Sequence, residues 1–457
     1  MSKIVKLKKG FDIEIKGEAS SEIEKILPET FAVKPTDFVG FSKPKVLVKE
    51  GDRVKAGDPL YFDKSLEEVK FCSPVSGEVL LVNRGAKRKL LEIVVKADQS
   101  IEYVSHKQYS VSDISNLPAE EIKEHMSASG VWPNIIQRPY AVIANPKDTP
   151  RDIFISGFDT SPLAPDTSLL LKGQEEYFAA GIQVLKKLTK GDVHLNVDAD
   201  AELPQSFTKV SGIQINKFSG PHPAGAVGVQ IHHIAPISAG EIVWTVSPLG
   251  VSHIGKLFVE GKYDASRIIA LTGSEVKNPK HYQTYIGANV AKYLENNLNS
   301  EHVRVVSGNI LTGEKIEKDG FVGFYDKQVT VIPEGDDFIP FGSFVPTKDR
   351  LSFHRAFGLM SFVNNFINPN KKYTIDTNIQ GEHRPFVQTG VFEKVTPMDI
   401  LPMQLMKAIM AEDYEEMEAL GIYEVAEEDL ALCEFVDASK TEVQAVIRRG
   451  IELLQQS

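Results

Sequence analysis

Residues 48–89 run VKEGDRVKAGDPLYFDKSLEEVKFCSPVSGEVLLVNRGAKRK. Val, Gly and Pro recur along it, and the turn signals EGD, AGDP, SPVSG and NRGAK divide it into runs of antiparallel-strand length. Residues 40–97 are therefore expected to form a small β sandwich.

The same stretch has the layout of a lipoyl or biotinyl carrier domain, in which a lysine at a hairpin tip bears the cofactor. Lys64, directly after Asp63, is the lysine in question. Lys64 and Ser73 stand nine positions apart. That is about two more than carrier domains use, which preserves strand alternation but enlarges the tip that a modifying ligase reads. The chain also lacks the HxxxDG signature of the carrier's usual acyltransferase partner. Lys64 is expected to stay unmodified, so the function must be carried elsewhere.

Working outward, 457 residues are too many for one ordinary core and suggest about three domains. Hydrophobic and charged contents of 42% and 25% are those of a globular protein. No apolar run approaches the roughly 18 residues of a membrane span. The start, MSKIVKLKKGFDIEIKG, has neither a continuous apolar segment nor a small-residue cleavage site, so no secretory signal is expected. Cys72 and Cys433 are the only cysteines. Two free thiols in a reducing compartment are expected, and two cannot supply the four thiolates of an iron-sulfur cluster. A net charge of -11 argues against nucleic acid as a partner. Residues 1–100 hold 19 Lys and Arg against 16 Asp and Glu, whereas residues 397–457 hold 4 against 14. The acidic end is a solvated face or a docking surface for a basic partner.

Beyond residue 101 the pattern changes. DIFISGF (152–158) reads as a strand leading into the loop DTSPLAP, and Phe178, Ile182, Leu185 and Leu188 mark one face of a helix over 173–190. Gly191 suits the position just past that helix, and DVHLNV reads as the next strand, giving a parallel α/β unit. Residues 256–313 read as strand, turn, the strand RIIALTG, a helix over GANVAKYLENNL and the strand VRVVSGNILTG, an order that fits a β-grasp unit. Short β segments are expected through about 390. Thr396, Pro397 and Asp399 then mark a helix start, with a restart at Pro402.

GPHPAGAVG (220–228) lets a backbone approach a phosphate or a planar ring, because Gly220, Gly225 and Gly228 carry no Cβ. It also fits a tight loop packing one strand on another, and no G-x-G-x-x-G or phosphate-loop motif occurs. His222, His232 and His233 lack carboxylates or thiols at ligand spacing, and the adjacent pair on a strand would point to opposite faces, so no metal site is expected. His222 alone is a candidate donor to a carbonyl-bearing ligand. VWPNIIQRP (131–139) sets Trp132 near Arg138, an aromatic face beside a cation that suits a flat ring with polar edges or, equally, a rigid packed loop. No Ser/His/Asp order, H-E-x-x-H or C-x-x-C is present, so no catalytic residue is named.

The motifs KLKKGFDIEIKG, VNRGAKR, DTSPLA, GPHPAG, GKLFVEG, VRVVSGNILTG and EEDLALCEFV follow one another in this order along the chain. Together they resemble the A-type subunits of the sodium-translocating NADH:quinone oxidoreductases of bacterial respiratory membranes. The resemblance implies an α/β and β multidomain protein. Its parts would be a barrel-sandwich, biotinyl/lipoyl-like domain without a modified lysine over 1–100, a Rossmann-like α/β domain over 101–255, a β-grasp soluble-ligand-binding domain over 256–330, short β segments over 331–390 and a C-terminal helical region over 391–457. It further implies a peripheral subunit on the cytoplasmic face of the bacterial inner membrane, with no covalently bound cofactor, quinone as substrate, and flavins and a 2Fe-2S centre in partner subunits. The partners would be the other subunits of a six-subunit membrane complex, docking being expected on the membrane subunit that carries FMN. Under this resemblance Trp132, Arg138, Phe41 and His222 are the expected quinone contacts, and Gly220 and Gly225 the ligand loop.

Overall fold

Alternation in residues 53–97 becomes two facing β sheets. The computed structural model describes residues 3–336, 351, 353–354, 371–387 and 389–456. One sheet runs Thr30–Val33, Leu90–Ala97, Gly77–Arg84, Arg53–Val54, and the other Pro44–Val46, Pro59–Asp63, Leu66–Cys72, with antiparallel neighbours throughout. Leu60, Val69, Phe71, Val79, Ile93 and Val95 fill the space between them. Each such side chain contributes about 1.5–3 kcal/mol through removal from water. The tip at Lys64 is smaller than its spacing suggests. Asp63 pairs directly with Leu66, leaving Lys64 and Ser65 as a two-residue turn, and the extra length is absorbed by register irregularities between Pro59 and Asp63.

The second sheet has seven strands in the order Ile4–Lys6, Gln214–Ser219, Val193–Asp198, Ile153–Ser156, Val243–Val246, Ile135–Arg138, Val142–Ile143. The first five are parallel and the last two antiparallel additions. Strand Ile153–Ser156 shows why helices cover both faces. Ile153 and Ile155 enter the core containing Phe178, Leu185 and Ile254, while Phe154 packs with Ile231, Ile237 and Val243 on the other side. The helix expected over 173–190 is present as Glu175–Leu188 with its four marker residues buried.

That helix lies against helix Pro248–Glu260 so closely that both use glycine at the crossing. A Cβ on Gly255 would collide with the Tyr177 carbonyl and one on Gly181 with the Val251 carbonyl. Gly255→Ala is expected to cost about 3 kcal/mol by forcing the helices apart, read as a lowered guanidinium midpoint. An unchanged midpoint would refute this account of the crossing.

The third sheet has the order Glu314–Ile316, Val303–Ser307, Gln328–Pro333, Ser266–Thr272, Lys280–Tyr285, Ile23–Lys25. The first 25 residues therefore supply an edge strand to each of the two larger sheets. Helices Phe392–Val395, Pro402–Ala411, Tyr414–Ala419, Ala431–Val436 and Val443–Gln456 form a further cluster. Val443, Ile447, Ile451 and Leu454 repeat at helical spacing and bury against Met406, Ile409 and Cys433, joined by Leu7, Ile13, Ile15 and Phe218. Cys72 and Cys433 are buried free thiols.

Several local expectations are corrected. Residues at the start of 256–313 are not a strand: they end helix Pro248–Glu260, whose N-cap Ser247 accepts from Gly250 N–H. His232 and His233 sit on helix Val227–Ile234 rather than on a strand. They tie it to the C-terminal region, His232 Nδ1 lying 2.6 Å from Glu424 Oε2 and His233 Nε2 donating to Pro397 O at 2.7 Å. The helix over GANVAKYLENNL shrinks to the turn Ala291–Leu294, because Asn296 at φ 54° reverses the chain. Thr396 ends helix Phe392–Val395 instead of opening one, its hydroxyl lying 3.3 Å from Cys433 Sγ, and the next helix starts at Pro402. Helix Glu175–Leu188 closes with an extended Thr189, and Gly191 serves close packing on the Arg151 carbonyl. Most of the short β segments expected over 331–390 fall outside the described residues; within them Tyr373 bridges Ile15. No helix among the described residues is long and apolar enough to cross a membrane.

Candidate functional site

In the seven-stranded sheet the chain proceeds from Ile153–Ser156 to one side, through Val193–Asp198 and Gln214–Ser219, then returns to the other side with Val243–Val246. Open α/β sheets hold ligands in the crevice outside the carboxyl ends of the strands at such a reversal. Here the crevice is a cavity of about 90 Å³, bordered by Ser156 from one strand end and Ser247 from the other. Leu170, Leu171, Pro248, Leu249, Ile286 and Phe324 supply apolar wall, while Asn134, His253, Arg267, Tyr325 and Lys327 bring polar atoms. The cavity thus joins the parallel sheet to the third sheet.

Arg267 lies in strand Ser266–Thr272 and is only 5% exposed. Its Nη1 donates to Phe324 O at 2.8 Å, whereas Nε has no partner. Burial pushes the guanidinium down to about 10, because Asp326 and Asp37 offset desolvation only in part. Those two carboxyls are themselves raised by burial, Asp37 to about 6. Asp37 accepts from Phe324 N–H at 2.8 Å and meets Lys34 Nζ at 3.2 Å, while Asp326 accepts from Ser307 Oγ at 2.6 Å.

His253 Nε2 donates to Ser266 O at 3.0 Å, which leaves Nδ1 unprotonated and without a partner. Burial lowers its pKa to about 4, so the ring is neutral. Tyr325, 41% exposed, stands at the rim with its hydroxyl donating to Pro133 O at 2.7 Å. Lys327 pairs with Asp159 at 2.6 Å. Burial alone would raise Asp159, but Lys327 and the Ser161 hydrogen bonds outweigh it and hold the carboxyl at about 2.

The residues expected from sequence are spread over four environments. Trp132 is fully buried, donates Nε1–H to Ala144 O at 2.7 Å and meets Trp244 edge-on at 5.6 Å. Its neighbour Asn134 borders the cavity instead, and the Pro133 carbonyl accepts from the lining residue Tyr325. Arg138 is buried on the C-terminal region, held by Asp429 at 2.8 Å and Glu428 at 2.5 Å, which raise its pKa against the desolvation that would lower it. Phe41 packs edge-on against Tyr61 and Phe71 in the β sandwich. His222 Nδ1 lies 3.1 Å from Thr160 Oγ1, and the His222 backbone N–H donates to Asp12 Oδ1 at 2.8 Å.

The glycine loop is one contact away from the cavity. Gly225 O accepts from Ser156 Oγ at 2.8 Å, and a Cβ at Gly225 would sit 2.6 Å from Thr160 N. Gly220, at φ 136°, lies against Leu7, where a Cβ would approach the carbonyl oxygen at 2.6 Å. Both glycines therefore pack backbone on backbone. The cavity residues that sequence reading missed are Arg267, His253, Asn134 and Ser247. Two signals were present: an arginine opening the otherwise apolar strand RIIALT, and Ser-Pro ahead of LGVSHIGKLF as a cap with proline at N1.

Three family models match the chain, described as the NqrA N-terminal barrel-sandwich hybrid domain over 5–98, the NqrA second alpha/beta domain over 117–263 and the NQRA C-terminal domain over 268–318. The Na(+)-translocating NADH-quinone reductase A subunit of Alcanivorax borkumensis is 35% identical over 458 residues, covering 99% of both chains. That of Histophilus somni is 34% identical over 459 residues with the same coverage. That of Serratia proteamaculans is 35% identical over 459 residues, covering 99% of this chain and 100% of its own. Among solved structures, the NAD+-reducing [NiFe]-hydrogenase in its H2-reduced state aligns over 78% of this chain and 67% of its own at 13% identity, with a TM-score of 0.39 too low to bear on the fold. With relatives matched along almost its whole length, the chain belongs to the NqrA family of Na(+)-translocating NADH-quinone reductase subunits, each one part of a sodium-translocating oxidoreductase complex.

Proposed function

We propose that this chain is the peripheral subunit on the cytoplasmic face of that complex and that it takes part in quinone binding, carrying no flavin or iron-sulfur cluster of its own. On this reading flavins and a 2Fe-2S centre reside in the partner subunits. The division proposed is a barrel-sandwich domain over 1–100 whose first 25 residues lend strands to the two larger sheets, a Rossmann-like domain from 101 whose last helix runs past the expected boundary at 255 to Glu260, a β-grasp soluble-ligand-binding domain from there to 330, short β segments over 331–390 and a helical region over 391–457. The observation that carries the quinone reading is the cavity at the strand reversal, with apolar walls around the buried donor Arg267. A quinone head is a flat ring that needs such walls and a donor for its carbonyl oxygen. The cavity's 90 Å³ is less than the ~150 Å³ that encloses a benzene molecule. It therefore receives the oxygen-bearing edge of the ring, and any tail leaves past Tyr325. Trp132 and Phe41 support the cavity's surroundings on this reading, while Arg138 and His222 hold the neighbouring elements.

Isothermal titration of the full chain with a short-chain quinone is expected to give saturable binding at about one site, weakened about tenfold or more in Arg267→Gln, as loss of a charged donor implies. Absence of saturable binding would favour the alternative, a structural docking subunit with no small-molecule site of its own.

Docking is proposed on the FMN-carrying membrane subunit through the acidic C-terminal helices. Glu427 and Asp429 are engaged within the chain by Arg448 and Arg138. Glu415, Glu416 and Glu418 are exposed beside the exposed Tyr414 and Met410, and form an acidic face with apolar anchors. Raising ionic strength to about 1 M, where the Debye length falls to about 3 Å, is expected to release the chain from the complex. Full retention would refute a charge-driven contact.

A further inference from the structure

We infer that the cavity at the strand reversal takes its ligand as an anion, with the charge-bearing oxygen held between Arg267 and the amino end of helix Pro248–Glu260. This rests on the ring-binding reading above and narrows it to rings with an ionised oxygen.

The first support is the state of Arg267. Its guanidinium is buried, one nitrogen is bound to a carbonyl, Nε has no partner, and no carboxylate oxygen among the described residues lies within 4.0 Å of it. A buried cation with no counter-ion in contact is costly, and a ligand anion would supply that contact. Asp326 and Asp37 offset that cost only in part, because neither contacts the guanidinium and each is engaged elsewhere, by Ser307 and by Lys34. Lys327 is already neutralised by Asp159. Among the described residues Arg267 is thus the cation on the cavity wall with no ion-pair partner in contact with it.

The second support is independent of it. Helix Pro248–Glu260 runs for 13 residues and directs its amino end at the cavity through Pro248 and Leu249. Pro248 has no N–H and Gly250 N–H is taken by Ser247 Oγ, so Leu249 N–H is the first-turn donor left for a ligand. Helix dipole and guanidinium therefore act on one point, and both favour negative charge. The cavity's size, suited to a ring edge, matches a ligand anchored by one oxygen.

The test is isothermal titration of the full chain at neutral pH with two ligands of nearly equal shape, a hydroxynaphthoquinone, ionised at that pH, and its neutral methoxy ether. The ionised compound is expected to bind about tenfold more tightly, as a charge-assisted contact implies. Arg267→Gln should abolish the difference, and Arg267→Lys, which keeps the charge, should retain most of it. Equal affinity of the two ligands for the wild-type chain would overturn the anion inference while leaving ring binding intact. Failure of both to bind would remove the ring reading itself. Inorganic phosphate binding as tightly as the hydroxynaphthoquinone would also overturn the inference, since the ring would then contribute nothing. The wild-type comparison decides without any variant, so misfolding of a substituted chain cannot obscure it.

Discussion

Arg138→Met is expected to destabilise the packing of the C-terminal helices on the parallel sheet by about 3–5 kcal/mol. Arg138 is 2% exposed and joins Asp429, equally buried, at 2.8 Å across almost 300 positions of sequence. Removing the cation leaves Asp429 in the interior with Ala426 N–H as its remaining donor, at 2.9 Å. The surface partner Glu428 can turn to water, but Asp429 cannot, because Gly228 packs directly on its carboxylate. Hydrogen exchange is the suitable measurement, since a chain with several cores need not unfold in one step. Protection should fall in Pro402–Ala411 and Val443–Gln456 before it falls in Val193–Asp198. The double variant Arg138→Met, Asp429→Leu should recover much of the loss, because an apolar pair needs no counter-charge. A single variant with unchanged protection would show that the pair does not hold the two parts together.

Trp132→Ala is expected to cost about 3–5 kcal/mol through the cavity it leaves. The indole has no exposed surface, spends its N–H on Ala144 O and packs against Trp244, which is also fully buried. The measurement is the guanidinium midpoint, accompanied by quinone titration at a temperature where the variant is folded. The midpoint should drop while the affinity of the folded fraction changes by less than about threefold, since Asn134 and not Trp132 borders the cavity. A stable variant with much weaker quinone binding would mean that the indole touches the ligand directly. Reading Trp132 and Arg138 as ligand contacts follows from their chemistry, and both are instead engaged by the protein. An aromatic beside a cation has the same local sequence whether a ligand or a neighbouring element covers it.

The features legible in the chain before it folds are local ones. Short alternating runs between turn residues marked the β sandwich of residues 40–97, and Phe178, Ile182, Leu185 and Leu188 could bury on one side only as a helix. Seven ordered motifs were enough for the family, because each is a chain-local string. Helix Val227–Ile234 escaped, since its β-branched residues favour a strand by propensity and adopt a helix through packing on Phe154 and bonds to Glu424 and Pro397. The tertiary structure alone decided the site. The reversal between Ile153–Ser156 and Val243–Val246 is a pairing across about ninety residues, and Arg267 comes to line one cavity with Ser247 and Pro248 only after the third sheet docks on the second. Side-chain periodicity records which face of an element avoids water, not which distant element covers it, so a lone charged residue in an apolar strand discloses its role only when the surrounding elements are in place.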